Sequence, residues 1–214
     1  MPPRKRRKGA PKPSWRDTLF YWRGELGVSD SDALYGAFIW TGTWVGSDDG
    51  VLPAAEKFAQ SENEFNLIHK CEEDEPSWEM FDDISDHGSE HGALPRDMPY
   101  IPPELNFEGF YMLDNGNGPE ETEDNEHTVA YDRREIEKDG TYTENHLVTA
   151  CGDTPFGRFV SHGRIVIRNG EAELTLARRY ITDTDARAKL TARELAEKLA
   201  DDDMAPWERL PVCA

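Results

Sequence analysis

From residue 18 to residue 180 the apolar positions recur mostly every second residue, in runs of six to twelve separated by glycine, proline and acidic stretches. A period of two places successive side chains on opposite faces, which is the signature of a half-buried strand. The first such run is Thr18–Leu26 and the second Tyr35–Gly46, both rich in aromatic and β-branched residues. In the second, Phe38, Trp40 and Trp44 share a face with Gly36, Gly42 and Gly46. Large side chains alternating with none suit the inside of a tightly curved, closed sheet. Further runs are Glu64–His69, Asn106–Leu113, His127–Asp132, His146–Cys151, Gly157–Arg168 and Ala172–Tyr180. Between the last two, Asn169-Gly170 predicts a tight hairpin with a type I′ turn. In Gly157–Arg168, Phe159, Ile165 and Ile167 take one face, and Arg158, His162, Arg164 and Arg168 take the other.

About eight strands in meander order, with no helix-length period between them, predict an all-β fold. An antiparallel up-and-down barrel is the expected closure, and a sandwich is the alternative. After Tyr180 the period changes. Thr191-Ala192-Arg193-Glu194 reads as a capping box, and Leu195 and Leu199 stand at i, i+4. A short amphipathic helix is expected near 191–201, packed across the barrel flank. The expected organisation is therefore a basic arm at 1–14, a barrel at 15–182 carrying an acidic insertion at 71–104, and a C-terminal helix and tail at 183–214.

Composition narrows the class. Among 214 residues, 37% are hydrophobic and 31% charged. No run approaches the roughly 20 apolar residues of a membrane-spanning helix. Six tryptophans, seven tyrosines and nine phenylalanines nevertheless supply core material. The net charge is −19, although Arg4, Lys5, Arg6, Arg7, Lys8 and Lys12 are concentrated at the start. That proline-interrupted basic segment resembles a short nuclear-import signal. A nucleus-resident protein is the first expectation and a cytoplasmic one the alternative. Prolines and the lack of an apolar stretch argue against a secretory or mitochondrial leader. Cys71, Cys151 and Cys213 are odd in number and widely spaced, so neither a disulfide framework nor a zinc knuckle is expected. The acidic body repels nucleic-acid phosphates and favours basic partners.

At Gly42-Thr43-Trp44 the chain resembles the calycins, the lipocalins and their relatives, which carry Gly-x-Trp on an early strand. In that family an Arg at the end of the last strand stacks over the Trp. The resemblance implies a calycin-like barrel over residues 16–181, with Trp44 and either Arg178 or Arg179 as closure residues. Cation and indole form a favourable pair. The chain departs from the family in having a strand, 18–26, before the Gly-x-Trp strand. The resemblance also implies an interior cavity, which the inward set Phe38, Trp40, Phe159, Leu174 and Leu176 would line.

Motifs for chemistry are sparse. His87-Gly88-Ser89-Glu90-His91, beside Asp82, Asp83 and Asp86, has zinc-compatible ligands, but Gly88 and Gly92 favour a polar loop. Asp114-Asn115-Gly116-Asn117-Gly118 lacks the spacing of a calcium loop and reads as a hairpin tip. Ser161-His162-Gly163 has no nucleophile elbow around it, so His162 is expected to make a cross-strand hydrogen bond. No catalytic residue, metal site or cofactor is nominated.

Cys71–Pro95 is the most distinctive segment, with nine acids and no Lys or Arg. Glu72, Glu73, Asp74 and Glu75 open it, and Trp78, Phe81 and Ile84 follow at i, i+3, i+6. An acidic segment with an aromatic stripe suits a basic-rimmed groove on a partner. The same stripe serves equally to lid the barrel in cis. Three function classes follow. The first expectation is a non-catalytic, nuclear interaction module that binds a basic, histone-like or groove-bearing protein through its acidic insertions. The second is a carrier of a small apolar ligand inside the barrel. The third is an isomerase or cyclase of lipocalin-like fold.

Overall fold

Every strand expected from the alternation forms, and the strands close on one another. The computed structural model describes residues 18–29, 37–70, 103–114, 118–132, 137–138, 141–142, 144–168 and 171–200. Its elements are β1 (Leu19–Val28), β2 (Phe38–Ser47), α1 (Ala55–Ala59), β3 (Glu64–His69), β4 (Glu104–Asp114), β5 (Pro119–Asp132), β6 (Glu137–Lys138) and β7 (Thr141–Tyr142). They continue with β8 (Glu144–Thr154), β9 (Gly157–Arg168), β10 (Glu171–Tyr180), a 3-10 turn at Ala186–Lys189, and α2 (Ala192–Ala200). Eight strands pair in the cyclic order β1-β10-β9-β8-β5-β4-β3-β2, while β6 and β7 form a separate two-stranded ribbon. All neighbours are antiparallel, so this is an up-and-down barrel. The small ribbon and α1 are additions to the sequence expectation. Strand β5 is also longer than expected, because its acidic first half pairs with β4.

The predicted face assignments hold where side chains are described. Trp22, Phe38, Trp40, Trp44, Phe65, Leu67, Leu105, Phe107, Tyr111, Ile165, Leu174 and Leu176 belong to one buried interior cluster. An eight-stranded barrel is just wide enough for such side chains to fill it. Closure also needs backbones to come close. Gly24 on β1 and Gly42 on β2 are register partners, and a Cβ on either would strike the opposite backbone. The alternation of aromatic and glycine in β2 therefore answers to a local pinch in the sheet.

Two apolar clusters lie outside the barrel wall. Leu19, Tyr21 and Ala177 are covered by Phe58 of α1. Ala130, Cys151 and Val160 pack with Ala192 and Leu195 of α2. The capping box forms as expected: the Thr191 N–H donates to the Glu194 carboxylate at 2.8 Å, and the Glu194 N–H to Thr191 Oγ1 at 3.2 Å. Burying Leu195 fully contributes about 1.5–3 kcal/mol. The Thr149 hydroxyl ties α2 to the wall by donating to the Ala192 carbonyl.

Candidate functional site

Strand parity brings the site together at one end of the barrel. On β10, Leu174 and Leu176 point inward, and two residues further Arg178 does the same, with only 1% of its surface exposed. Strand β1 lies between β10 and β2, with Trp22 opposite Leu176 on one side and Trp44 on the other. The indole beneath the guanidinium is therefore Trp22, at 4.0 Å, with the Phe159 ring at 3.7 Å on the other face. This corrects the expected pairing with Trp44. Trp44 is two strands from β10 and stacks instead on Trp22, at 6.3 Å and 20°. Arg179, of opposite parity, is half-buried and takes no part in the sandwich. Desolvated cation–π contacts contribute about 2 kcal/mol or more.

A charge sealed inside needs a counter-charge. It comes from Asp124 on β5, whose Oδ2 accepts from Arg178 Nη2 at 2.9 Å, with Asp124 fully buried. Arg178 Nη2 also donates to His127 Nδ1 at 2.9 Å. A neutral His127 then carries its proton on Nε2. Asp124 and His127 are three residues apart, and a regular strand would send them to opposite faces. Both turn inward because β5 bulges: Phe107 pairs with His127 and Gly109 with Asp124, so three steps on β5 match two on β4. Gly152 on β8 leaves room for the bulge, since a Cβ there would land on the Glu126 carbonyl.

The electrostatics follow from burial. For Asp124, burial works to raise the pKa, but Arg178 and then His127 outweigh it and hold the carboxyl well below its usual range. Burial pushes His127 down; Asp124 pulls it up and Arg178 down again. Burial also opposes the charge on Arg178, and Asp124 more than restores it. The pair is therefore ionised and the imidazole neutral.

Above this polar floor lies a cavity of about 340 Å³, lined by Phe20, Trp22, Trp44, Tyr111, Leu113, Phe156 and Tyr180. These residues come from the start of β1, the ends of β2, β4 and β10, and the β8–β9 turn, so the cavity occupies one mouth of the barrel. The expected lining is thereby corrected. Phe38, Trp40, Phe159, Leu174 and Leu176 point inward as predicted but are 0–4% exposed in a filled middle section. Large side chains fill the waist, and space remains only where the strands end. The lining is almost wholly apolar. Trp44 Nε1 donates to the Met112 carbonyl at 3.1 Å. Trp22 Nε1 is buried without a hydrogen-bond partner, while the Tyr111 hydroxyl faces the Tyr180 side chain, which also reaches Arg178. Burial, and then Tyr180, pushes the Tyr111 phenol far above its ordinary pKa, so it stays protonated.

No protein-family model, no curated protein and no solved structure matches this chain.

The remaining sequence candidates fall elsewhere. Glu72, Glu73, Asp74, Glu75, Trp78, Phe81 and Ile84, the His87–His91 loop and the Arg4–Lys8 arm lie outside the described residues. Strand β3 ends at His69 and β4 begins at Glu104, both at the end of the barrel opposite the cavity. Asp114 Oδ1 accepts from the Gly118 N–H, as a hairpin tip would have it. Among the described residues no cluster of His, Cys, Asp and Glu can hold a metal, and no helix is long and apolar enough to cross a membrane.

His162 departs from expectation. It lies on the outer face of β9 opposite Thr149 and Ala177, 2% exposed, and neither ring nitrogen has a hydrogen-bond partner. Packing, rather than a cross-strand hydrogen bond, occupies it. Burial, and then the Arg187 charge, pushes its pKa down to about 4. A base whose pKa falls on folding takes up protons more readily when unfolded. Stability is then whole above pH 6.5 and falls as the pH drops toward 4, by about 3 kcal/mol. His127 shifts in the same direction. Urea midpoints at pH 7.5 and 4.5 should show this loss, and His162→Phe should shrink the difference. An unchanged difference in His162→Phe would contradict the assignment.

Proposed function

We propose that the protein binds a small, uncharged, flat apolar ligand in the aromatic mouth of its barrel. The observation that carries this reading is the cavity of about 340 Å³ with six aromatic walls. Small-molecule sites are concave, mostly apolar and about this size or larger. The antiparallel eight-stranded closure is compatible with a calycin-type barrel, and ligand carriage in the interior is the use such a barrel suggests. Charge selects against an anion. Arg178 is matched by Asp124 and covered by Trp22 and Phe159, and among the described residues no Lys or Arg lines the cavity.

Titration with a neutral apolar fluorophore, N-phenyl-1-naphthylamine, should give saturable one-to-one enhancement. Leu113→Trp puts an indole into the cavity and should abolish it while leaving the melting temperature nearly unchanged. Enhancement that does not saturate, or that survives in Leu113→Trp, would overturn the reading.

A second reading, a nuclear module for a basic, histone-like partner, is supported by the charge of the outer wall. Glu104 and Glu108 of β4, and Glu120, Glu121, Glu123 and Glu126 of β5, are exposed. The Lys70–Glu108 ion pair on this wall is exposed and contributes at most about 1 kcal/mol. Binding to a basic protein should weaken steeply with salt. It should be lost when Glu72, Glu73, Asp74 and Glu75 are replaced by Gln and Asn. Unchanged binding after that substitution would remove this reading.

A further inference from the structure

We infer that the basic partner of the second reading docks on the barrel mouth and inserts a lysine side chain, methylated at its nitrogen, into the aromatic cavity. The inference goes beyond the apolar-ligand reading and rests on the second one, to which it adds a site and the chemistry of the contact. Its first basis is the wall. Phe20, Trp22, Trp44, Tyr111, Phe156 and Tyr180 present rings to a space of about 340 Å³, and among the described residues no Lys or Arg lines it. Ring faces carry partial negative charge and attract a cation within about 6 Å, more strongly once water is excluded. Trp22 has Arg178 over its ring, but Asp124 offsets that charge at 2.9 Å.

The second basis is the sign of the rim. Leu113 lines the cavity and pairs with Glu120 across β4 and β5, and such partners share a face of the sheet. Glu120 is therefore an exposed carboxylate on the inner side of the lip. Asp48, also exposed, stands at the same end, where its Oδ1 accepts from Thr18 Oγ1 at 3.0 Å. Of the strand bases at this end, Arg158 is bound to Asp153 at 2.6 Å, and Arg179 has the opposite parity to Tyr180. The acids continue down the outside. Glu121 and Glu123 of β5, with Glu108 and Glu104 of β4, form an exposed track from the lip to the far end. At about 3.3 Å per residue the track is about 30 Å long. An extended basic segment on this track arrives at Glu121, and its next side chain turns over the lip past Glu120. Methylation fits what it meets there. A plain ammonium is strongly hydrated and carries three donors, and rings replace that hydration poorly. Methylation keeps the charge and exchanges N–H for apolar surface that the rings can cover.

Fluorescence polarisation of the full chain at low salt tests this. The probe is a labelled arginine–glycine peptide whose central residue is lysine, N-trimethyllysine or the uncharged tert-butyl isostere of N-trimethyllysine. The trimethyllysine peptide should bind about tenfold tighter than either of the others. Leu113→Trp fills the cavity and should erase that preference. N-phenyl-1-naphthylamine should displace the trimethyllysine peptide from the unaltered protein, a readout that needs no variant to fold. Glu120→Gln, on an exposed side chain, should weaken both charged peptides about two- to threefold. Equal affinity for trimethyllysine and its isostere, or a preference that survives in Leu113→Trp, would overturn the inference and leave the second reading standing. A preference that emerges only when Arg4, Lys5, Arg6, Arg7, Lys8 and Lys12 are replaced by Gln would give the mouth to the chain's own basic arm and overturn it too. Failure of the second reading shows separately, as the absence of salt-sensitive binding to an intact histone, and takes the inference with it.

Discussion

Asp124→Asn lowers the stability of the barrel by about 3–5 kcal/mol, the cost of leaving one buried charge without its partner. The substitution keeps the shape of the side chain and removes only the charge that offsets Arg178. Arg178 cannot shed its proton, and with 1% of its surface exposed it has no route to water. Arg178→Met leaves the opposite orphan. It behaves differently, because a buried carboxyl can protonate. Without the guanidinium, burial raises the Asp124 pKa, and the cost of Arg178→Met should fall as the pH is lowered. Replacing both together, Asp124→Asn with Arg178→Met, should cost clearly less than the sum of the two, since neither charge is then stranded. Urea midpoints for the four proteins measure the coupling. Additive single effects would mean that the two groups do not neutralise each other.

The second large effect is expected at Gly152. A Cβ there meets the Glu126 carbonyl, which is backbone, and the Phe159 ring at 2.8 Å. Nothing on that side is the free end of a flexible chain. Gly152→Ala should therefore cost about 3 kcal/mol, at the upper end of ordinary overpacking. It should also disturb the β5 bulge that turns Asp124 and His127 inward, and so loosen Arg178 and the cavity floor. Gly27→Ala is the control: its Cβ meets nothing within 4 Å, and the change should stay within about 0.5 kcal/mol. Thermal unfolding of both variants, with probe binding to each, tests this. A Gly152→Ala protein as stable as Gly27→Ala would contradict the packing described.

These two sites show where reading along the chain stops. The sequence leaves Arg178 and Arg179 open as the closure guanidinium, and the structure selects Arg178, which shares the parity of Leu174 and Leu176. Its partners were not legible in the sequence. Asp124 stands among Glu120, Glu121, Glu123 and Glu126, where one more acid carries no signal. Its odd spacing from His127 assigns the two to opposite faces unless a bulge is known. A Gly opposite a bulge is likewise only a Gly in the sequence. Trp22 and Trp44 have the same type, parity and aromatic setting. Which one meets the guanidinium depends on which strand adjoins β10, and that is decided only at closure.

The alternation of side chains determined the eight antiparallel strands, the inward set and the cap of the last helix, because these depend on neighbours close in the chain. The tertiary structure alone decided that the waist is filled and the mouth hollow. It also decided that Arg178 is matched from a strand more than fifty residues away. Those outcomes depend on how much volume the strands enclose and on contacts made across the barrel, and neither is encoded in the order of residues along one strand.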